Sequence, residues 1–313
     1  MSKYLVTGIG GFVGRYFWEY IKQNEPDSIV IGYDIIKDSP IIDNNFVYQC
    51  SNLMDRDLLI KQLNEYKPDY IVHLAALSSV GQSWKAPSDC FINNTSIFLN
   101  IVEAVRSVNK NIRILAIGSS EEYGNTNSKD KISEDYHLNP QSPYAVAKVS
   151  QEQLAKMYVD GFGVDIVLTR SFNHFGPRQS DRFVIPSFVK QITEISQGKA
   201  SSNDMRVGNI EVVRDFLDVR DVVCAYYSIL KKANSGAIYN VCSGVPRKIA
   251  EIITEASKIL NVKVNVIVDE SRLRPNENMW ILGDNQKLEN ELQWKIKYSF
   301  SQTLLDMITF FKG

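Results

Sequence analysis

The chain has 313 residues, of which 44% are hydrophobic and 23% are charged, and its formal net charge is −1. This composition is typical of a globular protein with one large domain or two modest ones. Lys and Arg form no dense block, so a nucleic-acid-binding or polybasic membrane surface is not expected. Because no apolar run approaches the roughly 20 residues of a membrane span and the first residues lack a signal-peptide pattern, we expect a cytoplasmic protein.

The first half of the chain alternates short apolar strands with amphipathic helices. Near-continuous apolar strands separated by helices are typical of a parallel sheet covered on both faces, that is, a doubly wound α/β fold of Rossmann type. The predicted strands are Lys3–Thr7, Ser28–Tyr33, Tyr70–Leu74, Ile112–Ile117 and Val164–Thr169. The first predicted helix follows a glycine-rich turn and ends near Asn24. The others are Asp55–Tyr66, Ser88–Val108 and residues 143–161.

The second half of the chain is less regular. It contains the polar segment Gly198–Asp204 and the proline- and asparagine-rich stretch Arg272–Asn278. We predict that it forms a smaller C-terminal substrate domain, interleaved with the last strands of the sheet. The predicted NAD-binding domain comprises residues 1–170 and about 219–243, and the predicted nucleotide-sugar-binding domain comprises residues 171–218 and 244–313.

Cysteine and histidine spacing gives no sign of disulfide or metal chemistry. The cysteines lie far apart without a Cys-x-x-Cys pair and are expected to be buried, reduced thiols. The histidines lack metal-ligand spacing, so no metal is assigned. These residues are Cys50, Cys90, Cys224 and Cys242, and His73, His137 and His174.

A glycine-rich turn joins the first predicted strand to the first helix, with Gly8, Gly11 and Gly14 in a Gly-x-x-Gly-x-x-Gly register. The chain must turn sharply there, admit a pyrophosphate to its backbone and pack the helix tightly on the sheet, and glycine serves all three needs. Since a helix N-terminus also supplies free N–H groups and a positive dipole, this pattern predicts a dinucleotide site.

Asp34 ends the second predicted strand, about 20 residues past the last motif glycine, where dinucleotide-binding proteins place an acidic residue. Its carboxylate can accept hydrogen bonds from the adenosine ribose and would repel a 2′-phosphate. Residues 35–39 contain no arginine, and Lys37 is their only positive charge. NAD(H) is therefore favoured over NADP(H).

Tyr144 and Lys148 form a Tyr-x-x-x-Lys pattern on a helix predicted to start at Pro143. The i, i+4 spacing places both side chains on one face. Lys148, together with an oxidised nicotinamide, is expected to lower the phenol pKa from its ordinary value of about 10. Tyr144 can then exchange a proton with a sugar hydroxyl while the sugar carbon loses or gains hydride. The strand end Gly118–Gly124 is expected to supply a hydroxyl beside it.

These patterns together resemble the extended short-chain dehydrogenase/reductases, the family of nucleotide-sugar epimerases, dehydratases and reductases. Within that family the likeness is to the GDP-mannose 4,6-dehydratase and GDP-4-keto-6-deoxy-mannose reductase branch. The motifs are the glycine-rich turn, His73-Leu74-Ala75-Ala76, Ser119-Ser120-x-x-Tyr123-Gly124, Ser142-Pro143-Tyr144-x-x-x-Lys148, Asn173-His174-x-Gly176-Pro177-Arg178, Val207-Gly208-Asn209 and Leu273-Arg274-Pro275-x-Glu277.

The resemblance implies roles for individual residues. The implied catalytic residues are Ser119, Tyr144, Lys148 and Glu121. For the cofactor, backbone N–H groups of Phe12 and Val13 are implied to bind the pyrophosphate, Leu74 and Ala75 to line the site, and Lys148 to hold the nicotinamide ribose. The implied substrate contacts are Ser119, Asn173, Lys190, Arg214, Arg274 and Glu277, of which the two arginines clamp a diphosphate and Glu277 accepts from the substrate ribose.

Three functions remain open. The resemblance favours a 4-dehydrogenase or 4-keto reductase acting on a GDP-linked manno-configured hexose or heptose, in the synthesis of surface-glycan precursors. The alternative is a GDP-sugar 4,6-dehydratase that retains its NAD; Ser119-x-Glu121 keeps the glutamate of the dehydratases' Thr-x-Glu arrangement but replaces the threonine. A non-catalytic NAD-binding scaffold or sensor is disfavoured, because Tyr144 and Lys148 are also intact.

The resemblance also implies a homodimer, formed by the helices Ser88–Val108 and Pro143–Gly161. Apolar residues such as Ile97, Ile101 and Met157 suit either that interface or packing on the sheet.

Overall fold

A computed structural model describes residues 1–39, 41–126, 128–273 and 277–313. The strands are β1 (Lys3–Thr7), β2 (Ile29–Asp34), β3 (Phe46–Cys50), β4 (Tyr70–His73), β5 (Arg113–Ser119), β6 (Ile166–Ser171), β7 (Asn173–Phe175), β8 (Asp204–Val207), β9 (Val213–Asp218), β10 (Ile238–Val241), β11 (Pro246–Lys248) and β12 (Asn265–Val268). The α-helices are α1 (Phe12–Asn24), α2 (Arg56–Tyr66), α3 (Val80–Ser83), α4 (Pro87–Val108), α5 (Pro143–Phe162), α6 (Val184–Ser196), α7 (Val219–Lys232), α8 (Ile249–Leu260), α9 (Gln286–Leu292) and α10 (Phe300–Lys312).

Seven parallel strands form the central sheet, in the order β10-β6-β5-β4-β1-β2-β3. This confirms the doubly wound α/β fold. The five predicted strands and the four predicted helices are all present, with bounds within two residues of those expected. The strand β3 was missed, because this sheet-edge strand is only half-buried and lacks a continuous apolar run. The strand order reverses beside β1, and crevices at such points bind ligands at the carboxyl ends of the strands.

Helices cover both faces of the sheet, because successive side chains of a strand point to opposite faces. Tyr4 and Val6 pack on one face in the cluster that includes α1, α7 and α9. Leu5 packs on the other in the cluster that includes α2, α4 and α5. Each fully buried apolar side chain of this size contributes roughly 1.5–3 kcal/mol to stability. Two layers of helices therefore hold the strand ends in place.

Three apolar residues, Ile97, Ile101 and Met157, could pack on the sheet or lie at a dimer interface, and the structure shows how exposed each one is. Ile97 and Ile101 are buried in the core between α4 and the sheet, with 8% and 1% exposure. Met157 on α5 is 45% exposed. Only Met157 of these three is thus placed to meet a partner.

A second core lies beyond the central sheet. It is surrounded by α6, α8 and α10 together with a three-stranded sheet, β11-β9-β7, and a two-stranded sheet, β12-β8. The chain leaves the central sheet after β6 and returns to it with β10. Trp294, from the C-terminal part of the chain, packs into the core beside α1 and α7. The residue boundaries of the two domains stay a prediction.

The four cysteines are free thiols that differ in exposure. Cys90 and Cys242 are buried and free as expected, whereas Cys50 is exposed and Cys224 is half-buried, so the expectation of four buried thiols is wrong for these two. Within the described ranges, no helix has the length and apolar character needed to span a membrane.

Candidate active site

The glycine-rich turn lies at the carboxyl edge of the central sheet, between β1 and α1. Gly8 has a φ of +69° and donates its N–H to the Tyr33 carbonyl at 2.7 Å. A Cβ on Gly14 would stand 2.6 Å from the Gly8 carbonyl oxygen, so a side chain would collide with backbone. Phe12 and Val13 begin α1, and no side chain of the described residues caps that helix. Its first N–H groups are therefore free to bind an anion.

The Thr7 hydroxyl ties the end of β4 to this turn. It accepts the N–H groups of Leu74 and Ala75, both at 3.1 Å, and lies 3.0 Å from Nδ1 of His73. Because the oxygen already accepts two hydrogen bonds, its own proton points to His73. Burial lowers the pKa of His73 to about 3, so that its ring is neutral and can accept. A Cβ on Gly8 would stand 2.9 Å from the Ala75 nitrogen, which shows how closely the predicted cofactor residues meet.

The Asp34 carboxylate lies against the same turn. Its Oδ2 accepts the N–H of Gly10 at 2.9 Å, and its Oδ1 accepts the N–H of Ile35 at 2.8 Å. These two bonds hold the carboxylate at the end of β2, where the adenosine ribose of a dinucleotide is expected.

Tyr144 and Ser119 face each other from α5 and the end of β5. Ser142 caps α5 by accepting the Ala145 N–H at 3.1 Å, and Pro143 takes the first helical position, where its missing N–H is not needed. The helix start thus sets Tyr144 in its first turn. Both side chains are buried, and the Ser119 hydroxyl lies close enough to the phenol to act on its pKa.

Lys148 is buried one turn further along α5. Its Nζ donates to the Ile117 carbonyl at 2.7 Å and to Oε1 of Gln151 at 3.1 Å, and it lies 5.9 Å from the centre of the Tyr144 ring. Burial lowers the pKa of Lys148 to about 8, against the attraction of Glu122. The ammonium is therefore directed at the sheet backbone in this structure.

Burial raises the pKa of Tyr144 well above its ordinary value, and the nearby Ser119 hydroxyl only partly opposes that rise. The charges of Glu121 and Glu122 raise it further. The expected lowering depended on Lys148 together with an oxidised nicotinamide and stays a prediction; the protein side chains alone do not produce it. The physical reason is that desolvation of a phenolate here outweighs the stabilisation that the neighbouring side chains provide.

A 3₁₀-helix, Ser120–Tyr123, follows Ser119 and carries two adjacent glutamates. Glu121 is half-buried, its N–H donates to the Ser119 hydroxyl at 3.2 Å, and its charge acts on Tyr144. Glu122 is fully buried, and its Oε1 accepts the Ser119 N–H at 2.6 Å. The sequence does not single out Glu122, since two adjacent glutamates give no local sign of which one enters the core.

A buried ion pair lies next to Glu122. Arg170 of β6 donates to Glu152 of α5 through both Nε and Nη2, each at 2.8 Å. Its Nη1 donates to the Tyr123 hydroxyl at 3.0 Å and to the Glu134 carbonyl at 2.8 Å. The side chains of Arg170 and Glu152 are 4% and 3% exposed. The pair joins the helix that carries Tyr144 to the strand next to the one that ends in Ser119, and no pattern in the sequence predicts it.

The segment after β6 is fastened to α1. Asn173 begins β7 and is half-buried. The His174 ring stacks on Phe12 with centroids 6.1 Å apart. Arg178 forms two hydrogen bonds with Glu19 of α1, at 2.6 and 2.8 Å. This motif therefore connects the second core to the glycine-rich turn.

The predicted substrate residues of the second core lie in several places. Lys190 on α6 forms an ion pair with Asp181 at 2.7 Å, and the hydrogen bond to Asp181, together with its charge, raises the pKa of Lys190. Arg214 on β9 is buried, and its Nη1 donates to the Val213 carbonyl at 2.9 Å. Arg274 lies outside the described residues.

Glu277 is half-exposed in the loop before Trp280. Its neighbour Asn278 donates through Nδ2 to the Gly124 carbonyl at 2.6 Å. This bond ties the loop that contains Glu277 to the end of the segment that begins with Ser119.

A parallel Rossmann-type sheet, a glycine-rich turn at its carboxyl edge and a neighbouring Ser–Tyr–Lys group define the extended short-chain dehydrogenase/reductases, which are nicotinamide-dependent enzymes. The chain belongs to the GDP-mannose 4,6 dehydratase family, whose sequence profile matches residues 5–307. The family predicted from the motifs is thereby confirmed.

Reductases and dehydratases both occur among the relatives. GDP-6-deoxy-D-mannose reductase from Pseudomonas aeruginosa is 31% identical over 308 residues, which cover 97% of this chain and 95% of that enzyme. The solved structure of RMD from Pseudomonas aeruginosa complexed with NADPH matches with a TM-score of 0.86 and 30% identity, over 100% of this chain and 99% of that one. DesIV, a dTDP-glucose 4,6-dehydratase from Streptomyces venezuelae with NAD and TYD bound, matches with a TM-score of 0.87 and 25% identity, over 99% and 96%.

Proposed function

We propose that the chain catalyses NAD(H)-dependent redox chemistry at C4 of a GDP-linked, manno-configured hexose or heptose. The observation that carries this proposal is the buried pair of Ser119 and Tyr144 beside a glycine-rich turn with free helix N–H groups. The similarity to a GDP-6-deoxy-D-mannose reductase supports the GDP-sugar assignment. We place this reaction in the synthesis of surface-glycan precursors.

The residues around the turn fit a dinucleotide. Gly8 and Gly14 leave no space for a side chain where the backbone must approach a pyrophosphate, and Gly11 is the residue that precedes α1. The N–H groups of Phe12 and Val13 would bind the pyrophosphate, and Asp34 the adenosine ribose. Leu74, Ala75, Tyr144 and Lys148 would complete the site along the strand ends. When bound, NAD supplies the hydride acceptor or donor.

Tyr144 is proposed to move the proton. In the oxidising direction, the phenolate takes the proton of the C4 hydroxyl as C4 loses its hydride, and a C4 ketone forms. In the reducing direction, the phenol returns that proton to the C4 oxygen. Ser119 would hydrogen-bond the same oxygen and orient it. Because burial raises the pKa of Tyr144, phenolate formation requires positive charge beyond that of the surrounding side chains, which an oxidised nicotinamide provides.

The second core would bind the nucleotide part of the substrate, through residues 171–218 and 244–313. We assign the diphosphate to Arg214, whose guanidinium fork suits phosphate oxygens, and the substrate ribose to Glu277. Asn173 would contact the sugar end. Lys190 can contribute only if its ion pair with Asp181 opens.

The second candidate function is a GDP-sugar 4,6-dehydratase. The observation that favours it is Glu121, which is half-buried and close enough to Tyr144 to raise the pKa of the phenol. A carboxylate there is positioned to remove a proton from C5 once C4 is a ketone. Loss of water at C5 and C6 would follow, with hydride returned to the sugar and no net NADH.

Product analysis tests the proposal. Purified protein is incubated with NAD and either GDP-mannose or GDP-manno-heptose, and with NADH and the 4-keto-6-deoxy product of GDP-mannose. Mass spectrometry and NADH absorbance are followed together. Loss of two hydrogens with NADH accumulating indicates a dehydrogenase, NADH consumption indicates a 4-keto reductase, and loss of water without net NADH indicates the dehydratase. No turnover of any of these sugars would contradict the GDP-sugar assignment.

Asp34→Asn is expected to weaken the preference for NADH over NADPH by at least about tenfold, or 1.4 kcal/mol. The substitution removes the charge that repels a 2′-phosphate but keeps an oxygen for the Gly10 N–H. Fluorescence titration with both cofactors measures the two dissociation constants. Asp38→Asn removes an equal charge from the exposed loop that follows β2 and serves as the control. Tighter binding of NADPH than NADH by the wild-type protein would refute the assignment of Asp34.

We also propose a homodimer formed by α4 and α5. Both helices expose large apolar side chains, including Ile92 (54%), Met157 (45%) and Leu99 (38%). Sedimentation velocity should show a species of twice the monomer mass, and Met157→Glu should dissociate it. Leu305→Glu, at a 44% exposed position on α10, is the control. A wild-type protein that is monomeric at micromolar concentration would rule the dimer out.

A further inference from the structure

Directly beneath Ser119 lies the carboxyl group of Glu122, which has no role in the proposed reaction. The residue has 0% exposure. Its Oε1 accepts the Ser119 N–H at 2.6 Å and would stand only 2.5 Å from a Cβ on Gly118. The carboxyl group is therefore held against the backbone of the two residues that end β5.

The other carboxyl oxygen, Oε2, is buried and has no hydrogen-bond partner in the described part of the chain. Arg170 Nε lies 3.9 Å from it, but that nitrogen donates to Glu152 at 2.8 Å. The remaining guanidinium nitrogens also donate elsewhere, to Glu152, Tyr123 and the Glu134 carbonyl. The arginine is thus engaged with a different carboxylate.

Glu152 is the carboxylate that pairs with the cations next to this cluster. It accepts from Arg170 and also from Lys156, whose Nζ lies 2.8 Å from Oε1. An ionised Glu122 would be a second carboxylate in the same buried cluster, and its Oε2 would have no hydrogen-bond donor among the described residues, which is strongly unfavourable for a buried charge. A protonated Glu122 carries an O–H that the carboxylate of Glu152 can accept. Burial and the charge of Glu152 raise the pKa of Glu122 to about 8.

We propose that Glu122 is a protonated carboxylic acid, which donates its proton to Glu152 while its other oxygen holds the Ser119 N–H, and that it acts as a positioning residue for the Ser119 hydroxyl. A neutral carboxyl group supplies the acceptor that the Ser119 backbone needs without adding a negative charge beside Tyr144. That charge would oppose phenolate formation, because ionised Glu122 raises the pKa of Tyr144.

Several charged or titratable groups lie around Glu122. Glu152 on α5 opposes its ionisation, whereas Arg170 on β6 and Lys148 on α5 favour it. The charge of Glu122 acts on Tyr144, and Lys156 acts on Glu152. Glu121 and Tyr123 are its neighbours on the 3₁₀-helix.

Infrared spectroscopy of the full chain tests the protonation directly and requires no substrate. At pH 7 the wild-type protein should show the C=O stretching band of a protonated carboxylic acid that is absent from Glu122→Gln. Glu121→Gln, which removes the adjacent carboxyl group, should retain the band. Other buried acids contribute equally to all three spectra and cancel in the differences. If the wild-type protein and Glu122→Gln have the same C=O band, Glu122 is ionised and the proposal is overturned.

Kinetics test the positioning role, and this part rests on the proposed function. Glu122→Met keeps the length of the side chain but offers the Ser119 N–H no comparable acceptor, so kcat should fall by roughly tenfold or more with little change in KM, since misplacement of a reacting group slows chemistry. Glu122→Gln supplies a neutral acceptor and should restore kcat. Equal loss in both variants would overturn the positioning role. If Glu122→Met does not fold, the infrared difference tests the protonation and the kcat of Glu122→Gln tests the positioning role. If no sugar is turned over, the proposed function fails, while the infrared result still tests the protonation of Glu122.

Discussion

Tyr144→Phe is expected to lower kcat by about 10²- to 10⁴-fold, the range over which a positioned proton donor or acceptor contributes to rate. The phenyl ring still fills the buried space on α5, but the hydroxyl that faces Ser119 is lost. Binding of NADH should weaken by no more than about tenfold, because a single hydrogen bond contributes only about 0.5–1.5 kcal/mol. Steady-state rates with the sugar identified by product analysis and a fluorescence titration with NADH measure the two effects.

Tyr239→Phe is the matched control. Tyr239 lies on β10, is 1% exposed, and donates its hydroxyl to Glu291 at 2.6 Å. The same atom is removed from a buried tyrosine on the edge strand of the sheet, two strands from β5, so kcat should stay close to the wild-type value. A Tyr144→Phe variant that keeps more than a tenth of the wild-type kcat would refute the assignment of Tyr144 as the group that moves the proton.

Arg170→Met is expected to lower the free energy of unfolding by about 3–5 kcal/mol, the usual effect of removing one partner of a buried ion pair. Both oxygens of Glu152 lose a charged donor, and the Tyr123 hydroxyl and the Glu134 carbonyl also lose a bond. Urea unfolding followed by fluorescence and circular dichroism measures the change in the midpoint at constant slope.

Two further variants separate charge from packing. Arg106→Met breaks an ion pair with Glu103 that is exposed at the surface of α4, and it should leave the unfolding free energy nearly unchanged. The double variant Arg170→Met/Glu152→Met removes both buried charges and should recover part of the stability, since an apolar pair avoids the desolvation of two ions. If Arg170→Met and Arg106→Met lose equal stability, the buried pair is not what holds β6 to α5.

The two predictions concern neighbouring parts of one structure. Arg170 and Glu152 connect β6 to α5, and Tyr144 stands on the first turn of that same helix. Glu122 lies between this pair and Ser119. We therefore expect the positions of the Ser119 and Tyr144 hydroxyl groups, which are proposed to act on the substrate, to depend on this buried ionic cluster.

Local patterns in the sequence determined the fold class, the family and the candidate dinucleotide site. The spacing of Gly8, Gly11 and Gly14 after a short apolar strand was sufficient to predict the dinucleotide site. A turn with no space for Cβ atoms requires glycine, so the residue type itself indicates the turn. Tyr144 and Lys148 were found for a similar reason: positions four residues apart on a helix share a face. The family and the α/β sheet predicted in this way are confirmed by the family match and by the strand order.

Only the tertiary structure decided what depends on contacts between distant segments. It placed Glu122 in the core and left its neighbour Glu121 half-buried, and it buried Ile97 and Ile101 on the sheet. It also showed that the protein side chains by themselves raise the pKa of Tyr144, since desolvation depends on everything packed around the phenol and not only on the lysine one turn away. Residue spacing predicts helices, strands and turns. The burial of a side chain and the charges around it are determined only when strands and helices from separate parts of the chain pack together.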